Sequence, residues 1–124
     1  ELCKEAGAKR VVRLAVSGGF HSSLMNKASE QLQQVLEGVH IKDAVCPIVV
    51  NVDASLRETG YELKDCLVKQ VNHSVLWDAS VKYMVEQGID TFIEIGPGKV
   101  LSGLIKRIDS SVRVMSMGDV MEIG

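Results

Sequence analysis

The residues best placed to do chemistry sit at the corners of this 124-residue chain, and His21 is the most informative of them. Val11-Val12-Arg13-Leu14-Ala15-Val16 reads as a strand, broken by Ser17-Gly18-Gly19. After Phe20-His21 the apolar positions Leu24, Met25, Ala28, Leu32, Val35 and Leu36 recur at helical spacing, with Ser22 as N-cap and Gly38 as the stop. An imidazole between a strand end and a helix start is held rigidly and can reach into a cleft, which is what a general base needs. A base also needs something to activate, and the sequence holds no Gly-x-Ser-x-Gly elbow. Ser22 and Ser23 are accounted for as cap and first turn. His40, near Lys42 and Asp43, and His73, in a break between helical segments, read as solvated or capping. Cys3, Cys46 and Cys66 are odd in number and far apart, with no Cys-x-x-Cys. Neither a zinc site nor a disulfide framework is expected, and the thiols read as reduced, in a cytoplasmic protein.

A second corner, Gly96-Pro97-Gly98, follows a strand at Thr91 to Ile95. It is not a phosphate loop, because Ile93 stands where the first glycine belongs and Val100 where Ser or Thr would follow Lys99. Nor is it a dinucleotide fingerprint, whose last glycine is replaced by Leu101. What remains is a tight turn before a helix, suited to close packing of helix on strand, or to an anion at the helix N-terminus.

The elements that must position these corners alternate. A short helix closes at Gly7, a strand covers Cys46 to Val52, helices cover Leu63 to Val71 and Trp77 to Gln87, and a helix carries Val100 to Ile108 before a last short strand at Val112 to Met115. Alternation of this kind implies an α/β fold with parallel strands and a ligand edge at their carboxyl ends. Pro47 places the start of its strand at an edge or unpaired. Such a sheet needs more strands than these, so the chain reads as incomplete.

Composition narrows the partners. Hydrophobic residues are 46% of the chain, enough for a core, and the net charge of −2 supplies no cationic field for nucleic acid or an anionic membrane. Aromatic residues, at 4%, are too few for a base-stacking surface. No apolar run, that at Cys46 to Val50 included, approaches the length of a membrane-spanning helix.

Five blocks in order carry a resemblance: Ser17 to Met25, Pro47 to Val52, Leu67 to Gln70, Trp77 with Ser80-Val81, and Glu94 to Leu104. Together they resemble the carboxyl-terminal part of the malonyl-CoA:acyl carrier protein transacylases, relatives of polyketide synthase acyltransferase domains. The resemblance implies a hydrolase-like α/β acyltransferase core over residues 17–124, with residues 1–16 as the last helix and strand of an inserted ferredoxin-like subdomain. It implies ping-pong transfer of malonyl from coenzyme A, through a serine ester, to the phosphopantetheine thiol of a carrier protein in fatty-acid or polyketide synthesis. These thioesters are substrates, and no cofactor or metal is implied. His21 matches the family's catalytic histidine, Gln70 the residue whose main-chain carbonyl orients it, and Phe20 a position that favours malonyl over branched units. Gly19, Ser74 and Leu76 depart from the residues common there. The family's elbow serine, oxyanion-hole glutamine and malonyl-gripping arginine belong to its earlier part, so this chain alone is expected to be inactive.

A rival expectation is a non-catalytic module that self-associates through a bare sheet edge, or docks an acidic carrier protein through Lys99, Lys106 and Arg107.

Overall fold

A computed structural model of the chain describes residues 1–12 and 18–118. Within them the order is α1 (Leu2–Glu5), a 3-10 turn (Ser23–Met25) running into α2 (Asn26–Glu37), β1 (Ile48–Val50), β2 (Ser55–Arg57), α3 (Gly60–Gln70), α4 (Trp77–Glu86), β3 (Thr91–Ile95), α5 (Val100–Ile108) and β4 (Arg113–Met117). The mixed α/β architecture is the one expected. Val11 and Val12 are not in a strand, and the rest of that expected strand, residues 13–16, lies outside the described residues.

β3 and β4 pair in parallel across α5, with Phe92 opposite Val114 and Ile93 opposite Met115. Because side chains alternate along a strand, Phe92 and Val114 share one face. That face packs against the core, where Val81 of α4, Ile105 of α5 and Val112 are buried and Trp77, Met84, Val85 and Ile108 close around them. The opposite face carries Ile93, Ile95, Met115 and Met117, all exposed, with Ile95 at 68%. No described element covers this face of the sheet.

The other strand pair differs from the expected parallel arrangement. The strand foreseen at Cys46 to Val52 shortens to Ile48–Val50, beginning just after Pro47, and pairs antiparallel with Ser55–Arg57, where no strand is expected. The cause lies in the connecting turn. Ala54 takes a left-handed φ of 55°, reversing the chain, and Arg57 reaches back to the Asp53 carboxylate at 2.6 Å and to Ser55 Oγ at 2.6 Å.

α3 starts on a capping box. The Thr59 hydroxyl accepts the Glu62 N–H while the Glu62 carboxylate accepts the Thr59 N–H, and the Thr59 hydroxyl bond foremost holds that carboxyl below the usual glutamate range. α2 lies against α3, with the buried Ser29 hydroxyl donating to the Val68 carbonyl at 2.8 Å. This pair of helices is what positions His21.

Candidate active site

His21 takes a φ of 58°, a left-handed conformation uncommon for a residue with a side chain. Two bonds hold it there, both to the end of α3. Its backbone N–H donates to the Val71 carbonyl at 3.2 Å, and its ring Nδ1 lies 2.8 Å from the Gln70 carbonyl oxygen. The last carbonyls of a helix have no partner within it, so they are free to accept these donors. A carbonyl only accepts, so the proton of the neutral ring sits on Nδ1, and Nε2 keeps its lone pair. The ring is exposed. The corner is tightened by Ser22, whose hydroxyl donates to the Gly19 carbonyl at 2.6 Å and accepts the Leu24 N–H, as a cap should.

Phe20 is 59% exposed, and its ring folds back over Gly18, where an added Cβ would meet it at 3.4 Å. Gln70 lines a largely apolar cavity of about 360 Å³, with Val49, Leu63, Cys66 and Leu67 among its walls. His73 is exposed and caps the end of α3 through the Lys69 carbonyl, 2.8 Å from its Nδ1, and His40 is exposed too. Among the described residues, no group of three or more His, Cys, Asp or Glu side chains gathers as metal ligands do. Likewise, no helix there is long and apolar enough to cross a membrane.

The glycine turn is occupied from within. Glu94, near the end of β3, accepts the N–H groups of Leu101 and Ser102 at 3.1 and 2.9 Å and the Ser102 hydroxyl at 2.5 Å. A carboxylate seven residues upstream thus caps α5 and takes the place an anion would fill. The local sequence carries no capping signature for it, because the cap comes from the preceding strand. The Ser102 hydroxyl bond, with the Ser102 and Leu101 amides behind it, holds the Glu94 carboxyl below its ordinary value of 4.5. A depressed folded value means that Glu94 stabilises the fold above pH 4.5, and that this is lost as pH falls through the lower folded value. The midpoint of thermal unfolding of Glu94→Gln therefore lies below that of the native sequence at pH 7. The gap closes on acidification below about 4.5; an unchanged gap at pH 3 would contradict the cap.

Lys106, one of three basic residues expected on a docking face, turns its ammonium to the Val112 and Ser110 carbonyls instead. Lys99 and Arg107 remain exposed.

No family model matches the chain. The malonyl CoA-acyl carrier protein transacylase of Bacillus subtilis is 44% identical over 119 residues, which are 96% of this chain and 38% of that protein. Among solved structures, an acyl carrier protein S-malonyltransferase from Vibrio cholerae aligns over 98% of this chain and 40% of its own, at 38% identity and a TM-score of 0.90. A malonyl-transacylase structure in complex with a type II polyketide acyl carrier protein aligns over 96% of this chain and 38% of its own, at 39% identity and a TM-score of 0.85. The chain spans about two fifths of the length of the proteins it matches. In sequence and fold it is thus similar, over nearly its whole extent, to a carboxyl-terminal portion of the malonyl CoA-acyl carrier protein transacylases.

Proposed function

We propose that this chain supplies the general base of a malonyl-CoA:acyl carrier protein transacylase, and that the nucleophilic serine comes from the part of such an enzyme that these 124 residues do not match. The observation that carries the proposal is the 2.8 Å contact of His21 Nδ1 with the Gln70 carbonyl, which leaves Nε2 free on an exposed ring. Nε2 takes the serine proton as the hydroxyl oxygen attacks the malonyl thioester. The carbonyl and the negative end of α3 behind it stabilise the positive ring. The same proton then goes to the coenzyme A thiolate as it leaves. In the second half the roles reverse: Nε2 accepts the phosphopantetheine thiol proton, the thiolate attacks the serine ester, and the proton returns to the serine. Gln70 is the orienter and Phe20 a wall beside the base. A wall of that kind discriminates one extra methyl by about 1 to 3 kcal/mol.

The test is a chimera in which the residues of this chain replace the matching segment of the Bacillus subtilis enzyme. Malonyl transfer from coenzyme A to carrier protein is expected from the chimera and not from the 124-residue chain alone. A folded but inactive chimera, or transfer by the chain alone, would overturn the reading.

The bare face of Ile93, Ile95, Met115 and Met117 favours a second reading, in which copies of the chain associate. Light scattering separates the two. A species larger than a monomer at micromolar concentration supports association, and a clean monomer rejects it.

A further inference from the structure

His21 is gripped by main-chain atoms alone, so whatever fixes those atoms fixes the ring. The chain between α3 and α4 keeps main-chain bonds from Val71, Asn72 and His73 to the Val68 and Lys69 carbonyls and from Leu76 to the Asn51 carbonyl, and three side chains clasp it further. Gln70 Nε2 donates to the His73 carbonyl at 3.1 Å, and the His73 Nδ1–H is shared between the Lys69 carbonyl at 2.8 Å and Asn72 Oδ1 at 2.6 Å. These bonds stay within the segment itself. The next one leaves it: Asn72 Nδ2 donates at 2.9 Å to Oδ1 of Asn26, the first residue of α2. The result is a closed polar loop. From His21 the chain runs through the 3-10 turn to Asn26, crosses the amide pair to Asn72, and returns through Val71 and Gln70 to the backbone and ring of His21.

We infer that Asn72, acting through Asn26, is a positioning residue for His21. Its amide pins the Gln70 and Val71 carbonyls against the corner that carries the imidazole, and so fixes both ring orientation and tautomer. Without it, the last turn of α3 is free to fray, and the Gln70 carbonyl exchanges the ring N–H for water. The fold itself does not depend on this bond, because Ser29 and Val68 tie α2 to α3 further up.

A positioning role for Asn72 rests on the reading of His21 as the base, but testing it needs no transfer activity. Long-range proton–nitrogen spectra of the 124-residue chain, labelled in histidine and recorded with the rings neutral, report the His21 tautomer directly. The Nδ1–H form is expected to dominate in the native sequence. Asn72→Ala and Asn26→Leu should each raise the Nε2–H share about threefold, the scale of one net hydrogen bond. Asn26→Asp should keep the native ratio, because its carboxylate still accepts the Asn72 N–H. A merely structural role would lower stability and leave the tautomer where it is. If Asn72→Ala does not fold, Asn26→Leu and Asn26→Asp decide. An unchanged ratio in Asn26→Leu, or the same change in Asn26→Asp as in Asn26→Leu, overturns the inference. A shifted tautomer beside an inactive chimera overturns the transfer reading and leaves this one standing.

Discussion

Replacing His21 by Asn in the chimeric transacylase is expected to lower malonyl transfer by about 10³-fold, the middle of the range for a lost general base. Asn suits the control because it tolerates the left-handed φ of 58° better than Ala, so the corner keeps its shape while the proton acceptor is lost. Such a loss is about 4 kcal/mol of transition-state stabilisation, and it should fall on kcat and kcat/KM together, because proton transfer accompanies attack and not binding. Steady-state rates over a range of malonyl-CoA concentrations check this. If His21→Asn kept a tenth or more of the activity, or changed KM alone, the imidazole would be a binding group and not the base. The oxygen of Gln70 that meets the ring belongs to the main chain, so a Gln70 side-chain variant tests the clasp at His73 and not the orienting bond.

Much of this arrangement was legible in the residues. Thr91–Ile95 is found where it was expected, since a β-branched and apolar run between Asp90 and a Gly-Pro-Gly turn leaves the backbone little choice. The Ser22 cap is local chemistry and falls in place for that reason, as does the end of the helix expected over Trp77 to Gln87, which closes just before Gly88 at a φ of 89°. β2 was not legible. Ser55-Leu56-Arg57 becomes a strand because a turn folds it onto β1, and polar residues bridging Asp53, Ser55 and Arg57 look like loop until that turn is known. The capping box of Thr59 and Glu62 was there to be read, being an x-x spaced Thr and Glu before a helix. The site was legible only in part. A strand-to-helix histidine is visible in one sequence, but every residue has a carbonyl, so nothing in Gln70 itself marks it as the partner, and that assignment came through family resemblance. Asn26 and Asn72 are 46 residues apart and meet only because α2 lies on α3. Glu94 likewise needs the return of α5 over β3 before its carboxylate finds the helix it caps.

Gly60→Ala is expected to destabilise the chain by about 3 kcal/mol, the upper part of the range for an overpacked site whose backbone must shift. The usual sign for glycine near a helix end is the reverse, since alanine lowers the entropy of the unfolded chain and stabilises by about 0.4 to 1 kcal/mol where it fits. It does not fit at Gly60. A Cβ there would stand 1.9 Å from the Ile41 carbonyl oxygen and 2.6 Å from its carbon, and main-chain atoms cannot rotate aside. The close approach is fixed on both sides, as the Asp43 carboxylate accepts the Gly60 N–H at 2.8 Å and the Glu58 carbonyl accepts the Ala44 N–H at 2.7 Å. To admit a methyl group, the segment around Ile41 must lift off the start of α3 and break these bonds. Gly103, inside α5, is the matched opposite case. An added Cβ there meets nothing within 4 Å, so Gly103→Ala should stabilise by about 0.5 to 1 kcal/mol. Urea unfolding of the two variants beside the native sequence reads both signs, and a Gly60→Ala midpoint at or above the native one would refute the close approach. The effect reaches the site as well. The far end of α3 carries the carbonyls that hold His21, so a helix displaced at its start moves the base's tether at its finish.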